Sequence, residues 1–341
     1  MKKIKLGAIN WDAALPKETY FGAYTCRNLG VAEYADRLPY FAKRLNEGFD
    51  IPKRSGEDYD RELGYAVEAG LDFFAYCWYP DGEECDFWRN DPEYSFLAPH
   101  FPELNRARKL YQQSPLREKI KMCAILFCVH GYSQSDIQKL CDAMKEESYL
   151  KHRDRPVLMI FNGYNAEFIN KVRSFMNQRG IDPFIAFIGV GTPNADGDYT
   201  AADAVTAYAS AHGAKQFDQL TKMTFEDNKK RLGYRLKNIP LLSMGWNPMP
   251  RISQPCPWVS YKDTDYCSLP DKDEIKRAFR GLYDFVDENS RLCDTGLAVV
   301  FAWNEFEEGG YLCPTLSRDG TPNDRLLRDF AEVKKLFEKE N

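Results

Sequence analysis

Short apolar runs recur along this chain, and most are followed by a longer stretch of helical period. The runs lie at 5–10, 71–78, 120–129, 156–161, 184–190, 204–208, 240–245 and 296–303. Continuous apolar segments of this length read as strands buried on both faces, the pattern of parallel sheets. Amphipathic stretches lie between them at 57–69, 135–145, 166–178, 217–237 and 273–287, with a closing one at 324–339. Ser133-Gln134-Ser135 has the composition of an N-cap, and Gly180 ends the helix before the fifth strand. Eight strands separated by helices over 341 residues fit a closed barrel better than an open sheet. A doubly wound sheet would announce a Gly-rich phosphate turn after its first strand. Here that strand runs into Asn10-Trp11-Asp12 instead. The expectation is an α/β chain forming one (β/α)8 TIM barrel domain over 1–341, with extended βα loops at 11–55 and 79–102.

The last strand makes the site legible. Val299-Val300-Phe301-Ala302-Trp303 runs straight into Asn304-Glu305-Phe306-Glu307-Glu308-Gly309-Gly310. Charges just past the C-terminal end of a barrel strand sit where this fold builds its active sites. Ordinary strand ends favour Gly, Asn, Asp and Ser, so glutamates at this place point to paired catalytic carboxylates. The other strand ends contribute Asn10 and Trp11, Tyr76 and Trp78, His130, Asn162 and Tyr164, and Trp246 with Arg251, while the eighth adds Trp303 and Asn304. Aromatic faces stack on the apolar face of a pyranose while amides, His and Arg bind hydroxyls, so this cluster predicts a saccharide site. His130 reads equally as a sugar contact or as a satisfied core histidine.

Charge and composition exclude other classes. A net charge of −5 provides no basic footprint for nucleic acid or an anionic membrane. The ten cysteines are scattered without a CxxC pair, which argues against zinc and for a reducing compartment. Asn194-Ala195-Asp196-Gly197-Asp198-Tyr199-Thr200 alternates oxygen donors, but its Gly is one place early for a calcium loop and Val205 stands where the bidentate Glu belongs. It reads as a solvated turn. His100, His152 and His212 have no carboxylate or nucleophile motif beside them, and no G-x-S-x-G elbow is present. The expectation is a chemistry with no metal and no cofactor. No run is apolar enough to span a membrane, and no signal-type h-region follows Met1. As it stands the chain reads as cytoplasmic, with a periplasmic or surface location the alternative where a signal peptide has been removed.

The segment Trp303–Leu312, written out as Trp303-Asn304-Glu305-Phe306-Glu307-Glu308-Gly309-Gly310-Tyr311-Leu312, resembles the N-E-W-x-E-G-x-x-[LI]-E-P element of glycoside hydrolase family 99 and its WbsX-type relatives from polysaccharide loci. Residues 149–160 resemble that family's lead-in to strand four, Gly245-Trp246-Asn247-Pro248-Met249-Pro250-Arg251 its G-W-D-x-x-P-R turn, and 66–78 its second-strand unit. The resemblance implies a retaining glycosidase with Glu305 as base toward the sugar's own 2-hydroxyl and Glu308 as general acid/base. Glu307, between them, is expected to be solvated. Cys313 replaces the family's Glu in the L-E-P element, Asn247 its Asp, and Val129-His130-Gly131-Tyr132 lacks the acid of its H-I-E-P-Y element. The family's α-mannan specificity is therefore not carried over. The partner expected is an oligosaccharide or polysaccharide. The alternatives are a non-catalytic glycan-binding protein, or a polysaccharide-biosynthesis protein with glycosyl transfer on the same barrel. A transferase should carry a nucleotide-sugar diphosphate site, and no such motif is found.

Overall fold

The computed structural model describes residues 3–189, 192–261 and 265–339. Strands β1 (Lys5–Asn10), β2 (Phe73–Cys77), β3 (Lys121–Phe127), β4 (Arg155–Phe161), β5 (Phe184–Ile188) and β6 (Ala204–Thr206) pair side by side, all parallel. The seventh strand, β7, comes in two pieces, Lys237–Asn238 and Leu241–Ser243. The first piece pairs with β6 and the second with β8 (Leu297–Phe301), which returns to β1. At the junction, the Ile239 N–H bonds Val205 on one side at 2.9 Å and the Pro240 carbonyl accepts from Val299 on the other at 3.0 Å. Proline has no N–H to offer a ladder, so the interruption falls there, and β7 passes its bonds from one neighbour to the other. The ring closes through it. The expected eight-stranded barrel is the architecture found, with a two-residue arm, Lys151–His152, added antiparallel to β4.

Nine α-helices are seen among the described residues: α1 (Tyr20–Leu29), α2 (Gly56–Glu68), α3 (Arg106–Gln113), α4 (Gln134–Lys145), α5 (Ala166–Asn177), α6 (Phe217–Arg231), α7 (Met249–Ser253), α8 (Lys272–Glu288) and α9 (Arg325–Lys339). Capping boxes start α2, α4 and α8, where Ser55, Ser133 and Asp271 accept from the N3 amide and Asp58, Asp136 and Glu274 bond back. The helix expected over 217–237 stops at Arg231, because Lys237 already belongs to β7. Of the fifth predicted strand, Val190 lies outside the described residues. The described residues between β5 and β6 form turns instead of a helix.

α1, α3 and the short α7 were not foreseen. α1 lies inside the stretch read as a long loop, and its buried face carries Thr25 and Asn28 beside Phe21 and Leu29. Those two polar residues break the apolar periodicity on which a sequence reading depends. One core cluster runs from Ile4 to Phe337. No described helix is long and apolar enough to cross a membrane.

Candidate active site

β8 ends in a tight hairpin. Asn304–Glu305 pairs antiparallel with Gly310–Tyr311, and the Glu308 N–H donates to the Glu305 carbonyl at 3.1 Å. That turn puts residues 305 and 308 at its two corners. The glycines that follow are required by space and backbone. Gly309 has φ +71, and a Cβ there would lie 2.9 Å from the Asn247 nitrogen; a Cβ at Gly310 would meet the Phe301 ring at 2.3 Å.

Both carboxylates face a cavity of about 530 Å³, of the size that takes a small ligand. Trp11, His130, Asn162, Trp246, Arg251, Glu305 and Glu308 all line it, so seven of the expected site residues come together from five strand ends and α7. Around them Phe21, Phe101 and Trp258 build a largely apolar wall. The Trp258 ring meets Trp11 edge-on, with centroids 6.3 Å apart.

One cation serves three carboxylates. Arg251 bonds Glu308 through Nη1, while its Nη2 lies 3.6 Å from Glu305 and 3.5 Å from Glu307. Its guanidinium also covers the Trp11 ring at 4.9 Å. Burial alone would lower the Arg251 pKa, but the surrounding carboxylates hold it well above its ordinary value. Glu305 accepts from the Tyr208 hydroxyl at 2.6 Å, and Glu308 accepts from Tyr261. Burial pushes the Glu305 carboxyl well above the usual range; Glu308 adds to the rise, and Arg251 and the Tyr208 hydroxyl oppose it. Glu308 is raised by the same burial, with Arg251 and Tyr261 pulling against it. Three negative charges around one positive cannot all persist away from water. The pair therefore binds a proton above the ordinary carboxylate range.

Glu307 corrects the expectation of a solvated residue. It is buried, and it accepts from Thr25 Oγ1 at 2.8 Å and Asn28 Nδ2 at 2.6 Å. The polar face of α1 exists to hold it, and α1 is thereby clamped over the barrel mouth.

The remaining expected contacts do not reach the cavity. Trp303 is fully buried and donates its Nε1–H to Glu62 at 2.9 Å. Asn304 accepts from the Trp11 amide at 2.9 Å and donates to Asn10 Oδ1 at 3.2 Å, so Asn10 and Asn304 splice strand ends together. Tyr76 points outward to the helices, where it packs on Tyr111 of α3 and shares a hydroxyl–hydroxyl bond with Tyr59 of α2. Trp78 packs beneath the Arg108 guanidinium at 3.7 Å. Tyr164 packs on Phe187 and Tyr199, its hydroxyl accepting from the Ala201 amide. In each case a strand-end aromatic or amide turned toward the core or a neighbouring loop, a choice the strand register alone does not dictate. Trp78 accordingly does not join Trp11, Trp246 and Glu305 at the cavity.

His130 lines the cavity against Phe101 and Phe127, and burial lowers its pKa to about 3, so it is a neutral ring with Nδ1 unpartnered among the described residues. His212, which has no carboxylate beside it in sequence, meets Asp227 of α6 at 2.6 Å. Tyr208 and Tyr261, the hydroxyl partners of the two carboxylates, were both missed. Tyr208 closes the sixth predicted strand run and could have been added from that position. Tyr261 comes from an irregular segment after α7 and carries no local signal. Among the described residues, no group of three or more His, Cys, Asp or Glu is placed to hold a metal ion.

No protein-family model and no curated protein matches this sequence. Its fold is similar to that of a GH99 endo-α-mannosidase from Bacteroides thetaiotaomicron, solved with bis-tris propane: the TM-score is 0.53 at 14% identity, over 84% of this chain and 85% of that one. A second structure of the GH99 endo-α-mannosidase from that organism aligns at TM-score 0.51 and 12% identity, over 84% and 80% of the two chains. The barrel is thus of the kind found in glycoside hydrolases.

Proposed function

We propose that this chain is a retaining glycoside hydrolase acting on an oligosaccharide or polysaccharide, built as one domain on its barrel. The observation that carries the reading is the carboxylate pair: Glu305 and Glu308 at the corners of one turn, both buried, both lining the cavity and both facing Arg251. The similarity of the fold to a GH99 barrel supports it.

In the first step Glu305, ionised, takes the proton from the sugar 2-hydroxyl. The freed O2 attacks C1, the glycosidic C1–O bond breaks, and Glu308 gives its proton to the leaving oxygen. In the second step Glu308 takes a proton from water, the water oxygen attacks C1, the three-membered ring opens, and O2 recovers its proton from Glu305. Two inversions give net retention. The reactive form carries one proton on the pair, which titrates as a unit. Arg251 holds both residues while one is charged and the other neutral, and the apolar wall keeps competing water away. The Trp11 and Trp246 faces offer stacking surfaces for the sugar rings.

Two substrates test the assignment. Wild-type protein should leave a 2-deoxy glycoside uncut, since the internal nucleophile is gone; normal cleavage would make one carboxylate a direct nucleophile. Glu308→Gln should still consume a glycosyl fluoride in a first turnover, because fluoride leaves without a proton, and should fail on a natural glycan. Full activity of both Gln variants on the natural glycan would overturn the catalytic reading in favour of a glycan-binding protein.

A further inference from the structure

The cavity has a second charged region, on the side of β5 and β6. Ile188 and Gly189 at the end of β5, Ala211 and His212 beyond β6, and Asp227, Lys230 and Arg231 of α6 all line it. Arg231 is buried at 5% exposure. Its Nη2 donates to the side-chain oxygen of Asn228 at 2.7 Å, Nε has no partner among the described residues, and no described carboxylate forms an ion pair with it. Asp227 opposes the effect of burial on Arg231 from a distance but makes no ion pair with it, because that carboxylate is already engaged. It accepts from His212 at 2.6 Å, from Ser210 at 3.2 Å and from Lys230 at 3.0 Å. Asn228, for its part, is committed to the backbone of Leu241 on β7 in both directions.

A guanidinium taken out of water without a carboxylate in direct contact is destabilising, and natural proteins retain one where an anion completes it. Burial lowers Arg231 only to about 10, so it remains a cation at neutral pH. We propose that this side of the cavity is a subsite for an anionic substituent of the glycan, a carboxylate or a sulfate or phosphate ester, with the Arg231 guanidinium as its principal contact and Lys230 and His212 at its edge. The proposal rests on reading the cavity as a glycan cleft.

The two regions divide the work by charge. Around Arg251 three carboxylates outnumber one cation, and an anionic ring there would be repelled. Around Asp227 two cations, Lys230 and Arg231, outnumber one carboxylate. Tyr208, which bonds Glu305, and His212 are four residues apart, so at most about 14 Å of chain separates the two regions. The negative group therefore belongs on a sugar flanking the cleaved bond, within reach of a short oligosaccharide.

Calorimetric titration at low ionic strength tests this without requiring hydrolysis. The probes are glucuronate and galacturonate, glucose 6-sulfate and glucose 6-phosphate, with glucose as the neutral control. At least one anionic probe should bind roughly 10–100-fold more tightly than glucose, the expected value of a charge-assisted bond. Uronates alone assign a carboxylate; the sulfate or phosphate sugars alone assign an ester. Arg231→Gln should bring the anionic probe down to the level of glucose, and Arg231→Lys should recover part of the difference. Equal binding of all probes by wild-type protein removes the subsite, as does a loss in Arg231→Gln that falls equally on glucose. Should Arg231→Gln not fold, Lys230→Gln and added salt decide: both must weaken the anionic probe and spare glucose, and no change sinks the idea. Preferential anion binding by a protein whose Glu305→Gln and Glu308→Gln variants keep full activity would separate a failed catalytic reading from a correct subsite.

Discussion

Arg54 and Arg251 stand in nearly the same setting. Each is buried, and each faces more carboxylates than it can neutralise. Around Arg54 the network is complete: Nη1 bonds Glu62 and Nη2 bonds Asp12, the second oxygen of Asp12 accepts from the Ala107 amide, and that of Glu62 accepts from Trp303. The rings of Phe41 and Tyr59 cover the guanidinium. Cys313 is buried beside the same charges and adds no third carboxylate to them. Around Arg251 the network is unfinished. Nε and Nη2 lack hydrogen-bond partners, and the two outer carboxylates sit at ion-pair distance only. A satisfied buried network rigidifies; one that borders a cavity with donors to spare can answer a ligand. The residue types are alike, and completion separates scaffold from site.

That comparison breaks most readily at the carboxylates. Glu305→Gln should lower kcat/KM on a natural glycan by roughly 10²–10⁴-fold, the scale of losing a general base, while leaving the denaturation midpoint in place or raising it. A midpoint that falls as far as the activity would place Glu305 with the scaffold.

The counterpart is Arg54→Met, which strands Asp12 and Glu62 in the core. It should cost about 3–5 kcal/mol of stability, the usual penalty for breaking a buried pair, measured by denaturant titration. A cost under about 1 kcal/mol would mean that the Arg54 network behaves like a surface one.

The pH dependence sharpens the contrast further. The folded protein keeps protons on the Glu305–Glu308 pair that the unfolded chain releases near the ordinary value of 4.5. Above that pH the native state binds more protons than the unfolded one, so stability falls as pH rises. The decline should run from near 4.5 up through the raised values of the pair, at up to about 1.4 kcal/mol per pH unit for each proton retained. Glu305→Gln should flatten it over the same window. An unchanged slope would mean that the carboxyls are not held protonated.

Tyr208→Phe removes one donor from Glu305 and should lower turnover about tenfold, as a charge-assisted bond would, and shift the acid limb of the rate profile upward. Loss of activity equal to that of Glu305→Gln would give the hydroxyl a direct part in the chemistry. The smallest effect expected is that of chelation. EDTA should leave activity unchanged, since carboxylates and the substrate itself supply acid, base and nucleophile; loss restored by Ca²⁺ or Zn²⁺ would bring a metal into the mechanism.

Much of this was legible along the chain. The strands of the barrel announce themselves as apolar runs because both their faces are buried, and Glu305, Glu308, Trp246 and Arg251 follow from their places after strand ends. The helix α1 was not legible, since its inward face is polar for the sake of Glu307, a residue almost three hundred positions away. Tyr261 was hidden for a similar reason: an irregular segment has no period to read.

What the sequence determined by itself is the order of the barrel strands, the closure they favour and the strand end that carries the acids. These depend on local periodicity and on burial, which every residue reports for itself. Only the tertiary structure decided which strand-end side chains face the cavity and which turn away, sending Trp303 to Glu62 and Trp11 to Arg251. It also decided that Arg231 lies buried with no described carboxylate in ion-pair contact. Those outcomes depend on pairs far apart in the chain, and a single sequence states each partner without stating the pair.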